Sequence, residues 1–231
     1  MKMKKTIAII IIVFVAVLLG SIGIQLFTSP DFHGFSKATP GEPVVTYLPS
    51  DSGNASGSGA ADASAYNWKD HPVFIVGDSL TQGARPAILA AVGDATIDAK
   101  VSRNMATGVT ILKGWADSGI LTDDAIIIVC LANNITNSTV QDAQQIVDMI
   151  KPGQSLIMMT GHGLSNMDPA NEFIRSLPGK YSYITVADWD LTIAQSPSLL
   201  GDDGIHVSKS QGNDLYASLI LKALEVTRPM S

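Results

Sequence analysis

Two short stretches, far apart in the chain, carry residues that together can activate a hydroxyl. The first is Gly77-Asp78-Ser79-Leu80-Thr81-Gln82-Gly83-Ala84. Its serine lies on a glycine-flanked turn between an apolar run and a helical pattern. The Ser79 backbone N–H therefore falls at a helix start, where developing negative charge can be held. The second is Asp202-Asp203-Gly204-Ile205-His206-Val207-Ser208, just before the last helical pattern. A serine hydroxyl at neutral pH needs a base, and the base needs an orienting carboxylate. Asp203 and His206 supply both from one loop. The chemistry open to this set is attack of Ser79 on an acyl carbon. Each part also has a plainer reading: Ser79 as a helix cap, His206 as a polar loop residue.

The elements that must position these residues are legible as alternating patterns. Residues 73–76, 96–101, 125–131, 155–159 and 183–187 read as strands, the third and fourth nearly continuous in apolar residues, as expected where both faces are covered. Residues 86–92, 108–117, 140–150, 171–177 and 211–227 carry helical spacing. Strand-helix alternation of this kind implies an α/β domain with a parallel sheet of about five strands and helices on both sides. In such sheets the ligand site lies at the carboxyl ends of the strands, where Ser79 falls.

The chain has 231 residues, with 15 Lys+Arg, 21 Asp+Glu and a net charge of -6. An acidic balance without a basic block gives phosphate backbones nothing to bind, which excludes a nucleic-acid partner. The single cysteine, Cys130, excludes an internal disulfide and a zinc site of several thiolates; within an apolar strand it reads as core. Asp123, Asp124, Asp202 and Asp203 come in adjacent pairs without histidines at ligand spacing, so no metal or other cofactor is expected.

Residues 1–27 read as an N-terminal membrane anchor: Lys2, Lys4 and Lys5 precede an uncharged apolar run from Thr6 to Phe27. That run meets the roughly 20 residues needed to span a bilayer, whereas a secretory signal has a core of about 7–15. Ser21-Ile22-Gly23, the best cleavage candidate, lies inside the run. The positive-inside tendency leaves the rest of the chain extracytoplasmic on a single pass, or secreted if the segment is cleaved. Residues 28–68, rich in Pro, Gly, Ser, Ala and Asp, read as a flexible linker. Within it, Val44-Val45-Thr46-Tyr47-Leu48 is a patch that could dock on the domain or a partner, although a free tether is the expectation. Residues 69–231 form the remaining domain.

The Gly77-Asp78-Ser79-Leu80 box, taken with Asp203-Gly204-Ile205-His206, resembles the SGNH/GDSL hydrolase superfamily from about Val73 to Thr227. The G-x-S-x-G elbow of α/β-hydrolases is absent. Ile97-Asp98-Ala99-Lys100-Val101-Ser102-Arg103 and Val186-Ala187-Asp188-Trp189 resemble the SGNH domains attached to membrane acyltransferases that O-acetylate bacterial cell-wall and surface glycans. The resemblance implies a flavodoxin-like three-layer α/β/α fold and an acyl-serine intermediate on Ser79, with His206 as base and Asp203 as its partner. It further implies an oxyanion hole from the N–H groups of Ser79 and Ser102, with Gly108 the alternative to Ser102, and from the side chain of Asn133, with Asn134 one residue along. The family's glycine before this asparagine is Leu131 here, a departure expected to crowd the loop. Asp78 is assigned to bracing the turn.

An acetylated cell-envelope glycan or small ester is the substrate so implied. Hydrolysis and transfer use the same residues, and a transferase would need a separate membrane acyltransferase partner. A surface binding or scaffold module on the same frame is the rival reading. Two further residues stand near these blocks. His162, in Thr160-Gly161-His162-Gly163, reads as a solvent-exposed loop histidine or a pocket residue. Trp189 reads as packing under the Asp203–His206 loop or as a pocket wall.

Overall fold

The structure, a computed structural model, describes residues 42–47 and 66–231. The expected anchor, 1–27, and most of the linker lie outside the described residues. Among those described, no helix is long and apolar enough to cross a membrane.

Six strands form one sheet: β1 (Val45–Thr46), β2 (Val73–Gly77), β3 (Ala95–Ala99), β4 (Ile126–Cys130), β5 (Ser155–Met159) and β6 (Ile184–Ala187). Their spatial order is β1-β6-β5-β4-β2-β3. The five strands from β2 to β6 pair in parallel, whereas β1 runs antiparallel to β6 with Val45 opposite Ala187. This corrects the five-stranded parallel expectation to a mixed sheet of six. The sixth strand comes from the segment read as linker. Its Val44 carbonyl accepts from Asp188 N at 2.8 Å, and Val44 N donates to Thr192 Oγ1 at 2.9 Å. An open sheet edge offers unpaired backbone groups, and two β-branched residues suffice to take them up.

Six helices cover the sheet: α1 (Ser79–Val92), α2 (Met105–Asp117), α3 (Thr139–Asp148), α4 (Asp168–Ser176), α5 (Trp189–Ala194) and α6 (Ser210–Val226). Alternate residues of β2, β4, β5 and β6 divide between two cores. Ile75, Ile128 and Ile157 pack with α1, α5 and α6; Val76, Val129 and Met158 pack with α2, α3 and α4. The central strands are buried along both faces, which explains their continuous apolar runs. The strand order reverses between β2 and β4, so the crevice at a topological switch point opens beyond Gly77 and Cys130.

Leu131, expected to crowd the site, does not. Its fully buried side chain belongs to the α2–α3 core, where it lies over Gly108 of α2. A Cβ added at Gly108 would stand 2.4 Å from Leu131 Cδ1. Leu131 and Gly108 thus pack as large against small, away from the asparagine loop. Gly108→Ala is expected to lower stability by about 1–2 kcal/mol, since overpacking outweighs the gain of about 1 kcal/mol in helix propensity. Urea melts should show that penalty vanish in a Leu131→Ala background; a stabilised single variant would contradict the packing argument.

Candidate active site

Apart from Gly108, which lies within α2, every candidate residue follows the carboxyl end of a parallel strand or sits in the loop before α6. Asp78 is the N-cap of α1: its Oδ1 accepts from Leu80 N at 3.0 Å, so the side chain braces the turn as expected. Burial pushes the Asp78 carboxyl up to about 6, against the pull of the Leu80 and Thr81 amides. Gly77 must be small here, because a Cβ would meet the Thr81 side chain at 2.2 Å. The helix therefore begins at Ser79, earlier than the apolar periodicity indicated, and Ser79 N–H points out of its first turn.

Across 127 residues of sequence, Ser79 Oγ donates to His206 Nε2 at 2.9 Å. His206 Nδ1 donates to Asp203 Oδ2 at 2.6 Å. Asp203 Oδ1 accepts from the backbone N–H of Ile205 at 3.0 Å and of His206 at 2.9 Å. The His206 hydrogen bond, then these amides, hold the Asp203 carboxyl down at about 2. The loop is fastened by Gly201 N to His206 O at 2.7 Å and by Gly204 in a left-handed turn at φ 66°. The set lies open: the side chains of His206 and Asp203 are 52% and 50% exposed.

The turn after β3 has the geometry of an anion donor. Ser102 adopts φ 60°, the only positive φ among the described residues other than glycine. That conformation costs a residue with a Cβ about 1 kcal/mol or more, so the turn is held by its surroundings. The turn is held by Arg103 Nη2 on Asp98 Oδ1 at 2.9 Å and by Val101 N on Gln82 Oε1 at 3.1 Å. Among the described residues, Ser102 N–H has no partner. Gly108 N–H instead bonds Asn104 O at 3.2 Å inside α2, which removes it as a donor.

Asn133 Nδ2 donates to the His162 carbonyl at 2.9 Å, leaving the amide its second N–H. Asn134 Nδ2 faces Asp78 Oδ2 at 3.4 Å, beneath the turn. Loop 160–163 lies directly on the asparagine loop, since a Cβ at Gly161 would stand 2.2 Å from Ala132 O. Asn171 of α4 clamps that loop by bonding both Gly161 N and Gly161 O.

At three places the structure selects between the alternatives. His162 is not a solvent-exposed loop histidine: its Nδ1 donates to Asp190 Oδ1 at 2.8 Å and its side chain is 21% exposed. Trp189 is wholly buried and meets Tyr216 edge to face at 5.0 Å, so it is core and not a pocket wall. Val45 and Thr46 are a sheet strand, not free tether. Sequence reasoning missed the cluster to which His162 belongs. Arg175 donates to Asp188 at 2.6 and 2.9 Å and to Asp190 at 2.7 Å, while Thr160 Oγ1 donates to Asp188 Oδ1 at 2.9 Å. The His162 bond, then Arg175, holds the Asp190 carboxyl below its ordinary value. Asp188-Trp189-Asp190 after an apolar strand was the available signal. Cys130 is buried, with its thiol pushed up to about 12 by desolvation, so it is unreactive core.

No protein-family model and no curated protein matches the chain, so likeness is carried by solved structures. The C-terminal catalytic domain of Streptococcus pneumoniae peptidoglycan O-acetyltransferase A, solved with a methylsulfonyl adduct, is 25% identical with a TM-score of 0.63. The match covers 70% of this chain and 98% of that one. A carbohydrate esterase family 3 protein from Talaromyces cellulolyticus is 17% identical at a TM-score of 0.53, covering 67% and 96% of the two chains. A member of the lipolytic G-D-S-L family from Veillonella parvula is 14% identical at 0.56, covering 66% and 97%. These last two share the fold. Joined to a serine, imidazole and carboxylate already in hydrogen-bonded line, such likenesses make the chain a relative of the SGNH/GDSL hydrolases and, among them, of the O-acetyltransferase catalytic domains.

Proposed function

We propose that the chain is a membrane-tethered, extracytoplasmic serine esterase/O-acetyltransferase acting on acetyl esters of cell-envelope glycans. The observation that carries this reading is the unbroken line from Ser79 Oγ through His206 to Asp203, at 2.9 and 2.6 Å. As the Ser79 oxygen forms its bond to the ester carbonyl carbon, its proton passes to His206 Nε2. The tetrahedral oxyanion is held by the N–H groups of Ser79 and Ser102 and by Asn133. Collapse breaks the bond to the leaving oxygen, which takes the proton from His206, and acetyl-Ser79 remains. A water or a sugar hydroxyl then gives its proton to His206 and attacks; Ser79 Oγ leaves and recovers that proton.

The openness of the triad supports a substrate that is one group on a large polymer, because a shallow site admits a chain that a closed pocket would exclude. The likeness to a peptidoglycan O-acetyltransferase domain supports acetyl as the acyl group and a glycan as its acceptor or source. Transfer would require a separate membrane protein to deliver acetyl. The uncharged run from Thr6 to Phe27 supports the tether. Strand β1 places Val45 and Thr46 of the segment between anchor and domain on the edge of the sheet.

Intact-mass measurement of the full chain in mild detergent, after mixing with 4-nitrophenyl acetate, tests the reading. Wild type should gain an acetyl group that Ser79→Ala does not. A folded wild type that neither gains acetyl nor releases nitrophenol would instead support a binding module. Asn133→Ala should lower kcat by about 10²–10³-fold as a lost oxyanion donor, with Asn134→Ala well short of that. Full activity in Asn133→Ala with loss in Asn134→Ala would move the role one residue along.

A further inference from the structure

A groove of about 510 Å³ adjoins the triad on its β5–β6 side. One wall is His162, Leu164 and Asp190; the other is Leu200 with Gly201 and Gly204, which flank Asp203. The walls are fastened together. Gly163 has φ 120°, and a Cβ there would stand 2.5 Å from Ile205 Cγ1 and 3.0 Å from Gly204 O. A comparable hollow of about 540 Å³, lined by His71 and Asp94, lies at the amino ends of β2 and β3 and is remote from this chemistry.

We propose that the groove beside the triad is a saccharide subsite, and that His162 is the residue in it that binds a sugar hydroxyl. This rests on the acetyl-Ser79 reading and names the acceptor that reading left open. His162 Nδ1 is committed to Asp190, itself held by Arg175. His162 Nε2 is left to meet a hydroxyl, and no described residue bonds it. The backbone carbonyl of the same residue holds Asn133, so loop 160–163 links the groove to the oxyanion donor. Half-exposed Leu164 offers an apolar surface for the C–H face of a pyranose. The lining holds Asp168 and Asp190 but no lysine or arginine, so the groove favours a neutral or amino sugar over an anionic one. In transfer, the bound sugar's hydroxyl oxygen bonds the acetyl carbon and its proton goes to His206. The Ser79 Oγ–carbon bond breaks, and Oγ recovers the proton.

The test uses the full chain in mild detergent, 4-nitrophenyl acetate as donor and chitopentaose, a neutral oligosaccharide, as acceptor. Chitopentaose should speed discharge of acetyl-Ser79 and become acetylated. His162→Ala should raise its KM about three- to tenfold, the loss of one hydrogen bond, a larger factor than any change in the rate of Ser79 acetylation. Leu164→Ser, at an exposed position where misfolding is not at issue, should shift the same KM in the same direction by a smaller factor. Acetyl-Ser79 that discharges no faster with chitopentaose, or KM unmoved in both variants, would overturn the subsite while leaving the acyl-serine reading intact. Equal loss of acetylation and transfer in His162→Ala would also overturn it, because His162 would then be supporting the triad. Absence of acetyl-Ser79 in wild type would remove the reading itself.

Discussion

Turnover of 4-nitrophenyl acetate by Ser79→Ala is expected to fall by about 10⁴- to 10⁶-fold in kcat, the loss seen when a triad nucleophile is removed. The substitution takes away one oxygen whose hydrogen-bond partner in the structure is His206 Nε2, at 2.9 Å. Nothing that shapes the turn goes with it. Asp78 still caps α1, and Gly77 still admits Thr81. Ser79 is half-buried and its hydroxyl is not part of either core, so the variant should melt within about 0.5 kcal/mol of wild type. The loss can therefore be read as chemistry. Residual rate would come from the N–H groups of residues 79 and 102 and from Asn133, which still polarise a bound carbonyl for attack by water. Pre-steady-state release of nitrophenol should lose its burst. A variant within tenfold of wild type would exclude Ser79 as nucleophile, because among the described residues no other hydroxyl is bonded to His206.

The parts of this site legible in the sequence were those built from local pattern. A glycine-serine turn after an apolar run, and an Asp and His three apart before the final helix, depend on residues that are neighbours in the chain. Periodicity located the five parallel strands for the same reason. The turn at Ser102 was legible only through the family resemblance, because no local pattern marks it. The physical trace is φ 60°, which a sequence does not print. Compensation was equally hidden. Leu131 looked like an intruder in the asparagine loop, and only the facing Gly108, in another helix, shows that its bulk goes to the far core.

What escaped altogether depended on pairing between distant elements. Arg175 lies on α4, whereas Asp188 and Asp190 follow β6 and His162 follows β5, so no window of sequence joins them. A lone histidine in a glycine-rich loop is more often solvated than held. Likewise Val45-Thr46 is too short for strand periodicity, and its pairing is set by the open edge of β6. Composition alone could not mark this short strand within a segment rich in Pro, Gly and Ser.

Asp203→Asn is expected to lower kcat by about 10³–10⁴-fold, through the tautomer of His206 and not through lost charge alone. The two carboxylate oxygens have separate duties. Oδ1 accepts from the N–H of Ile205 and of His206, at 3.0 and 2.9 Å, while Oδ2 faces His206 Nδ1 at 2.6 Å. An asparagine must keep its oxygen on the two backbone donors, because turning its NH₂ toward them would set donor against donor. Its NH₂ then points at Nδ1, which can only accept, so the ring proton moves to Nε2 and the lone pair that should take the Ser79 proton is gone. Asp203→Ala imposes no tautomer, so Asp203→Asn should be no more active than Asp203→Ala despite its closer shape. The pH profile separates this from a charge effect. With the Asp203 carboxyl at about 2, it is ionised throughout the working range. Its depressed folded-state value favours the fold above its unfolded value, near 4, and that contribution is lost only as pH falls toward 2. An acid limb of kcat/KM above pH 4 in wild type therefore does not report Asp203. Activity of Asp203→Asn within tenfold of wild type would mean that this carboxylate does not set the tautomer, and the orienting partner of His206 would have to be sought elsewhere in the loop.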